Sequence, residues 1–499
     1  MTRLATRFLR MARTPRIALL IFTTLMVGTV GAVLGPQLAR GGGGSVSSVP
    51  PAPPATPPVF AMHHDSQGVK VSGTLSQSKF VQGENGVVYV HLDLDTPAPE
   101  SPAAARRATD MIVVLDRSGS MAADNKLPYA KEAVRNLIGR LQADDRFALI
   151  TFDTTAVVNT ALVHVTDPVR EQLSRQIAGI RPGSSTNLSD GLLKARALLE
   201  GHSTERSRRV LLLSDGEANA GIVDPQELAR LVSSFSQHAA VVSTIGMGLG
   251  FNETLMAALA DYGMGNYSYL EHLSTLGDIL HKDLQDAKQV FASASGLSIT
   301  LGKGIEITDA GGYPMDLTSQ PGTARIMTGQ LLAGARKRLV VTVKVPTEHT
   351  GDMQLGQITL QYTSSRGDGS VTLSPEHLRV AVLESARKDE AVASIDQTLY
   401  RQLWEGNNLG RMQKEFSHWL RLGDEKKVKE TITTYRETLR KEEAATGVPL
   451  QSQAVTDSLS TMESDLREAF SGVAPEQAEK RNRAAKDHHQ KAVKGQRAN

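Results

Sequence analysis

Short apolar runs alternate with stretches of helical periodicity over residues 108–292. Residues 111–116, 146–152, 209–214 and 239–247 are almost wholly apolar and read as strands buried on both faces. Residues 126–141 place Ala130, Ala133, Val134, Leu137, Ile138 and Leu141 on one helical face. Helices are also predicted over 168–180, 189–199, 225–237, 255–262 and 273–290, with strands at 156–165 and 267–270. Ser189 or Asp190 and the pair Asp224-Pro225 supply helix-start signals. Buried strands alternating with amphipathic helices predict an α/β domain, a doubly wound, mostly parallel sheet of the Rossmann-like kind, covered on both faces. Ligands of such sheets bind at the carboxyl ends of the strands.

The flanks follow another period. Residues 69–75 and 87–94 alternate like half-buried strands, and 297–301, 305–308, 339–345, 357–362 and 378–383 resume that pattern, with Gly311-Gly312 and Arg366-Gly367-Asp368-Gly369 as turns. We expect a β-sandwich-like module whose first part (59–97) and second part (296–383) are interrupted by the α/β domain. From residue 385 the period becomes helical: Val392, Ile395, Leu399 and Leu403 share a face, as do Val428, Ile432, Tyr435 and Leu439. A C-terminal α-helical region over 385–473, packed on the β module, is the expectation. Residues 474–499 read as a basic, disordered tail.

At the other end, Arg3, Arg7, Arg10, Arg13 and Arg16 precede an apolar run over 17–35. Nineteen helical residues reach about 28 Å, close to a bilayer core of about 30 Å. Arginines before the run predict a cytoplasmic N-terminus and a single-pass anchor, with the bulk of the chain periplasmic or at the cell surface. The competing expectation is a signal peptide cleaved near Val30-Gly31-Ala32. Residues 1–40 are thus read as a basic segment with its anchor, and the Gly- and Pro-rich residues 41–58 as a spacer.

Composition narrows the chemistry. The chain has no cysteine, so disulfides and thiolate metal sites are excluded, and aromatics make up 4%. The net charge of +2 conceals +5 in residues 1–16 and +6 in residues 480–499, leaving an acidic body. That balance argues against nucleic acid as a partner. No Gly-x-Ser-x-Gly elbow, P-loop or His-Glu-x-x-His is present. Arg366-Gly367-Asp368 is ordinary hairpin chemistry, and the pairs His63-His64 and His488-His489 lie in polar stretches suited to adventitious metal binding at most.

The remaining signal is a set of oxygen donors at strand ends. Asp116-Arg117-Ser118-Gly119-Ser120 follows the apolar run 111–115. Thr186 lies in Gly183-Ser184-Ser185-Thr186-Asn187, and Asp215 ends Val210-Leu211-Leu212-Leu213-Ser214-Asp215. Oxygen-only donors suit a hard divalent cation. Together these residues resemble the metal-ion-dependent adhesion site of the von Willebrand factor type A (VWA) domain, over roughly residues 108–292. The placement also resembles bacterial surface proteins in which such a domain is inserted into a β module. The resemblance implies that Ser118, Ser120 and Thr186 ligate Mg²⁺ (or Ca²⁺ or Mn²⁺), with Asp116 and Asp215 bound directly or through water. It further implies an open coordination position, filled by an acidic side chain of a protein partner. The function expected is non-enzymatic, cation-dependent protein binding outside the membrane. The alternatives are an accessory subunit of a membrane transport or channel complex, and a metal-dependent hydrolase.

Overall fold

The computed structural model describes residues 63–99, 107–201, 206–215, 218–248, 251–270, 275–317 and 320–496. Its α/β domain contains strands β1 (Thr109–Asp116), β2 (Arg146–Phe152), β3 (Ala156–His164), β4 (Ser207–Ser214), β5 (Ala240–Met247) and β6 (Met264–Leu270). The helices are α1 (Lys126–Arg140), α2 (Asp167–Gly179), α3 (Leu188–Ala197), α4 (Pro225–Ser233), α5 (Glu253–Tyr262) and α6 (Leu276–Lys288). The strands lie in the order β6-β5-β4-β1-β2-β3, parallel except for the edge strand β3. Every residue of β1, β4 and β5 is buried, as their apolar runs require. Alternate side chains feed two cores. Ile112, Val114, Val210 and Leu212 pack with α3, α4 and α5 on one face. Met111, Val113, Leu115, Leu211 and Leu213 pack with α1, α2 and α6 on the other. Side-chain oxygens of Asn187, Asp224 and Asn252 cap α3, α4 and α5. The strand order reverses between β1 and β4, which opens a crevice at their carboxyl ends.

The β module draws on both flanks. Val87–Asp95 pairs antiparallel with Arg336–Lys344, from Val87 opposite Lys344 to Asp95 opposite Arg336. The α/β domain therefore lies between two chain segments that share one sheet. A second sheet, containing Val290–Leu301 and Gly356–Ser364, shares an apolar core with the first through residues such as Val90, Val341, Ile299 and Ile358. Strands Lys79–Val81, Thr323–Met327, Gly351–Gln354 and Gly367–Leu373 escape a pattern reading because they are short, Gly-containing or largely exposed. The turn expected at Arg366–Gly369 ends at Arg366: Gly367 and Asp368 already pair with Ser364 and Thr363 inside the ladder.

Helices α7 (Lys388–Ala393), α8 (Gln397–Leu422), α9 (Glu425–Thr446), α10 (Gln453–Ala469) and α11 (Ala474–Gln496) complete the chain. They pack on the β module through an edge-to-face contact of Tyr400 on Tyr89, with ring centroids 5.6 Å apart. Helix α11 corrects the expectation of a disordered tail. Its charge masks a stripe of Ala485, His488, His489 and Ala492, all buried, at helical spacing. The two histidines are core residues; His488 Nε2 lies 2.8 Å from Asp465 Oδ2.

The expected membrane localisation is also corrected. Among the described residues no helix is long and apolar enough to cross a membrane. The apolar run 17–35 and the spacer 41–58 lie outside the described residues.

Candidate metal centre

Strand β1 carries Asp116 to the crevice in a fully buried position. Its Oδ1 accepts from the Ser118 amide at 2.7 Å, which folds the chain back directly after the strand. Its Oδ2 accepts from Ser214 Oγ of β4 at 2.5 Å. Burial raises this carboxyl to about 6, while the hydrogen bonds from Ser214 and Ser118 restrain the rise. Ser118 Oγ lies 3.1 Å from Ser120 Oγ, and Ser120 Oγ donates to Asp215 Oδ1 at 2.8 Å. Asp116, Ser118, Ser120 and Asp215 thus stand in one hydrogen-bonded series across the mouth of the crevice.

Thr186 arrives on a second loop, and the backbone joins that loop to the first. Gly119 N donates to Ser184 O at 3.0 Å and Gly183 N to Arg117 O at 2.5 Å. A Cβ on Gly183 would meet Asp153 Oδ2 at 2.0 Å, so the crossing tolerates no side chain there. Asp153 clasps the junction: its carboxylate pairs with Arg117 at 2.7 Å and its carbonyl accepts from Asn187 N at 2.7 Å. The Thr186 amide donates to Asn219 Oδ1 at 2.8 Å, and the Asn219 amide returns a bond to Thr186 O at 3.1 Å. Thr186 is buried beside the centre but takes no part in the hydrogen-bonded series of the other four.

Lys126 is the main residue that sequence reasoning passed over. A 3-10 turn over Gly119–Asn125 ends with Asp124 and Asn125 in the left-handed region, at φ 53° and 57°. The next residue, Lys126, opens α1 and sends Nζ to Asp215 Oδ2 at 2.7 Å, with both side chains buried. Its sequence signal, a lysine at a helix start, is too common to single out. Asp153 and Asn219 were missed for the same reason: each is a polar loop residue, and their roles arise only from the loop crossing. Ser214 had a local signal, because it immediately precedes Asp215 at the end of a buried strand.

The donors suit a hard cation. Two carboxylates and the hydroxyls of Ser118 and Ser120 are neighbours, and Lys126 neutralises one of the two charges, so attraction for a cation remains. Among the described residues no group of three or more His, Asp and Glu side chains is disposed to hold a metal. The hydroxyls are therefore essential to this reading.

The model of the von Willebrand factor type A domain family matches residues 111–217, the stretch from β1 past Asp215. The chain carries a von Willebrand factor type A domain. The uncharacterized protein YfbK of Escherichia coli is 29% identical over 196 residues, covering 39% of this chain and 34% of that protein. The chain thus spans about a third of that relative's length. The uncharacterized protein sll0103 of Synechocystis is 25% identical over 312 residues, covering 58% of this chain and 73% of that protein. The solved structure of a von Willebrand factor type A protein from Catenulispora acidiphila superposes with a TM-score of 0.64 at 16% identity. That match covers 86% of this chain and 98% of the other, so the fold likeness extends beyond the VWA domain to its flanking modules.

Proposed function

We propose that this protein is a non-enzymatic protein-binding module whose VWA domain captures an acidic side chain of its partner through a divalent cation, with Mg²⁺ the first candidate. The observation that carries this reading is the series Asp116–Ser118–Ser120–Asp215 at the strand-order reversal, with the Thr186 loop joined to it. In it Ser118, Ser120 and Thr186 offer neutral oxygens, and Asp116 and Asp215 provide charge directly or through water. With Lys126 offsetting one of the two carboxylates, a divalent cation bound there would keep surplus positive charge and would favour an acidic side chain of a partner. Asp116 also fixes the Ser118 amide and ties β1 to β4 through Ser214. The hydroxyls of Ser118 and Ser120 lie 3.1 Å apart, close enough to ligate one cation together.

Isothermal titration of the full chain with MgCl₂ and MnCl₂ tests the reading. One bound cation is expected, lost in Asp116→Ala and Asp215→Ala. Captured partners should be released by chelator, and their contact surface should contain an essential Asp or Glu. Cation uptake that survives both substitutions, or a partner retained equally in chelator, would sink the proposal.

A further inference from the structure

A buried cation of α11 contacts a short segment of the VWA domain. Lys486 of α11 is 3% exposed and its partner Glu253, first residue of α5, is 2% exposed, with Nζ 3.1 Å from Oε2. The same ammonium donates to Phe251 O at 2.7 Å and lies 3.7 Å from the centroid of the Phe251 ring. Arg421 of α8 approaches the other Glu253 oxygen at 3.4 Å. Two helices of the C-terminal region therefore grip one short segment of the VWA domain.

That segment abuts the metal centre through the sheet. Gly246 of β5 stands opposite Ser214 of β4 and opposite Tyr269 of β6. Asp116, Ser214, Gly246 and Tyr269 form a row across the carboxyl end of the sheet. Side chains of Val114, Leu212 and Val242, residues of like parity on β1, β4 and β5, share one core, so the row projects from that face. The Phe251 ring fills the place of the missing Gly246 side chain, where a Cβ would come within 2.2 Å of ring carbons. It also packs on Tyr269, centroids 5.6 Å apart. A contiguous series thus runs from Lys486 through the Phe251 ring and Gly246 to Ser214, whose hydroxyl holds Asp116.

We infer that α11 is a strap whose residue Lys486, acting through Phe251, positions Ser214 and Asp116, so that docking of α11 and cation capture at the centre are coupled. Lys486 and Phe251 are positioning residues, since neither touches the cation site. The buried Lys486–Glu253 pair suits such a strap. A buried ion pair contributes little net stability compared with apolar packing, but breaking it leaves an uncompensated charge. Docking through it is consequently discriminating: α11 either seats with Lys486 between Phe251 and Glu253 or leaves Glu253 without one of its two cations. Coupling of this kind is reciprocal, so the factor by which docking favours the cation equals the factor by which the cation favours docking. The inference rests on the proposed cation site, and its test separates the two.

The test compares the full-length wild type with Lys486→Met and with Lys491→Met, a control that removes an exposed charge from the same helix. Amide hydrogen exchange and Mn²⁺ titration are the readouts. Lys486→Met is expected to speed exchange at residues 117–120 by about tenfold and to weaken Mn²⁺ binding by a similar factor, while Lys491→Met changes neither. Faster exchange confined to α11 and residues 251–253, with residues 117–120 and Mn²⁺ affinity unaltered, overturns the strap and leaves a purely structural clamp. If the wild type takes up no Mn²⁺, the cation reading fails and the coupling with it, while exchange at residues 117–120 still decides whether Lys486 positions Ser214 and Asp116. Should Lys486→Met not fold, the wild type suffices: Mn²⁺ must slow exchange in residues 480–492, and unchanged exchange there refutes the coupling.

Discussion

Lys126 sets the charge of the metal centre. With its ammonium 2.7 Å from Asp215, two carboxylates present a net charge of one rather than two to a cation. Lys126→Met leaves Asp215 buried and short of a partner, a change that typically costs about 3–5 kcal/mol in the cation-free protein. The same change should strengthen cation binding, because the cation becomes the principal neutralising group. Melting curves with and without Mg²⁺ check both effects: the metal-free midpoint drops and the gap to the metal-loaded midpoint widens. A gap equal to that of the wild type would place Lys126 outside the field of the centre. Thr186 has a different weight. Its backbone is fixed by Asn219, so Thr186→Ala should keep the loop in place while weakening Mg²⁺ uptake by about 1–3 kcal/mol. Calorimetry showing undiminished uptake would remove Thr186 from the ligand set.

At the scale of elements, α11 is the least anticipated part of the molecule, and His489 reports on its docking. The imidazole is buried, edge-on to Tyr267 with centroids 6.0 Å apart, and burial lowers its pKa to about 4. As pH falls below about 6.5, the unfolded chain takes up a proton that the folded chain refuses. Stability from this residue is complete above about 6.5 and is lost on acidification toward 4, a change on the order of 3 kcal/mol. Asp116 acts in the opposite sense: a carboxyl raised to about 6 makes the fold less stable as pH rises through 4 to 6. The difference between wild type and His489→Gln isolates the histidine. Urea midpoints at pH 7, 5.5 and 4.5 should fall more steeply in the wild type, and parallel profiles would show that His489 is not sealed from water. Gly246→Ala probes the Phe251 ring against which Lys486 of α11 docks. Its Cβ must displace the Phe251 ring, with an expected loss of about 1–3 kcal/mol in urea unfolding.

For the whole molecule, the β module joins strands from both sides of the VWA domain, and the helical region bridges the two. Helix α11 lies along α8 in the helical core while holding Glu253 of the VWA domain. Ending the chain at Val473 would uncover buried residues of α8 such as Phe416 and Ser417 and take one cation from Glu253. We expect that truncated protein to unfold at a lower midpoint and to expose apolar surface, detected by dye binding. Unchanged melting would show that α11 contributes nothing to the rest. Cation binding to the intact protein should stabilise it by mass action, by about 2.7 kcal/mol at a concentration a hundred times the dissociation constant.

The sequence by itself determined the parts whose cause is local. Both-face burial demands uninterrupted apolar runs, so β1, β4 and β5 were visible as strands, and the strand ends located Asp116 and Asp215. Asp116, Ser118 and Ser120 are legible because one turn carries all three. Tertiary structure alone decided what depends on partners distant in the chain. Edge strands such as Gly351–Gln354 take their form from the strand beside them, not from their own side chains. Asp153 and Asn219 gain their roles only where two loops cross. Lys126 is one lysine among many until the left-handed turn at Asp124 and Asn125 directs it to Asp215. Helix α11 hides a buried face that draws on Ala485, Lys486, His488, His489, Ala492 and Val493. Hydropathy scores such a segment as polar, because the favourable burial of Lys486 comes from Glu253 and the Phe251 ring, more than two hundred residues away.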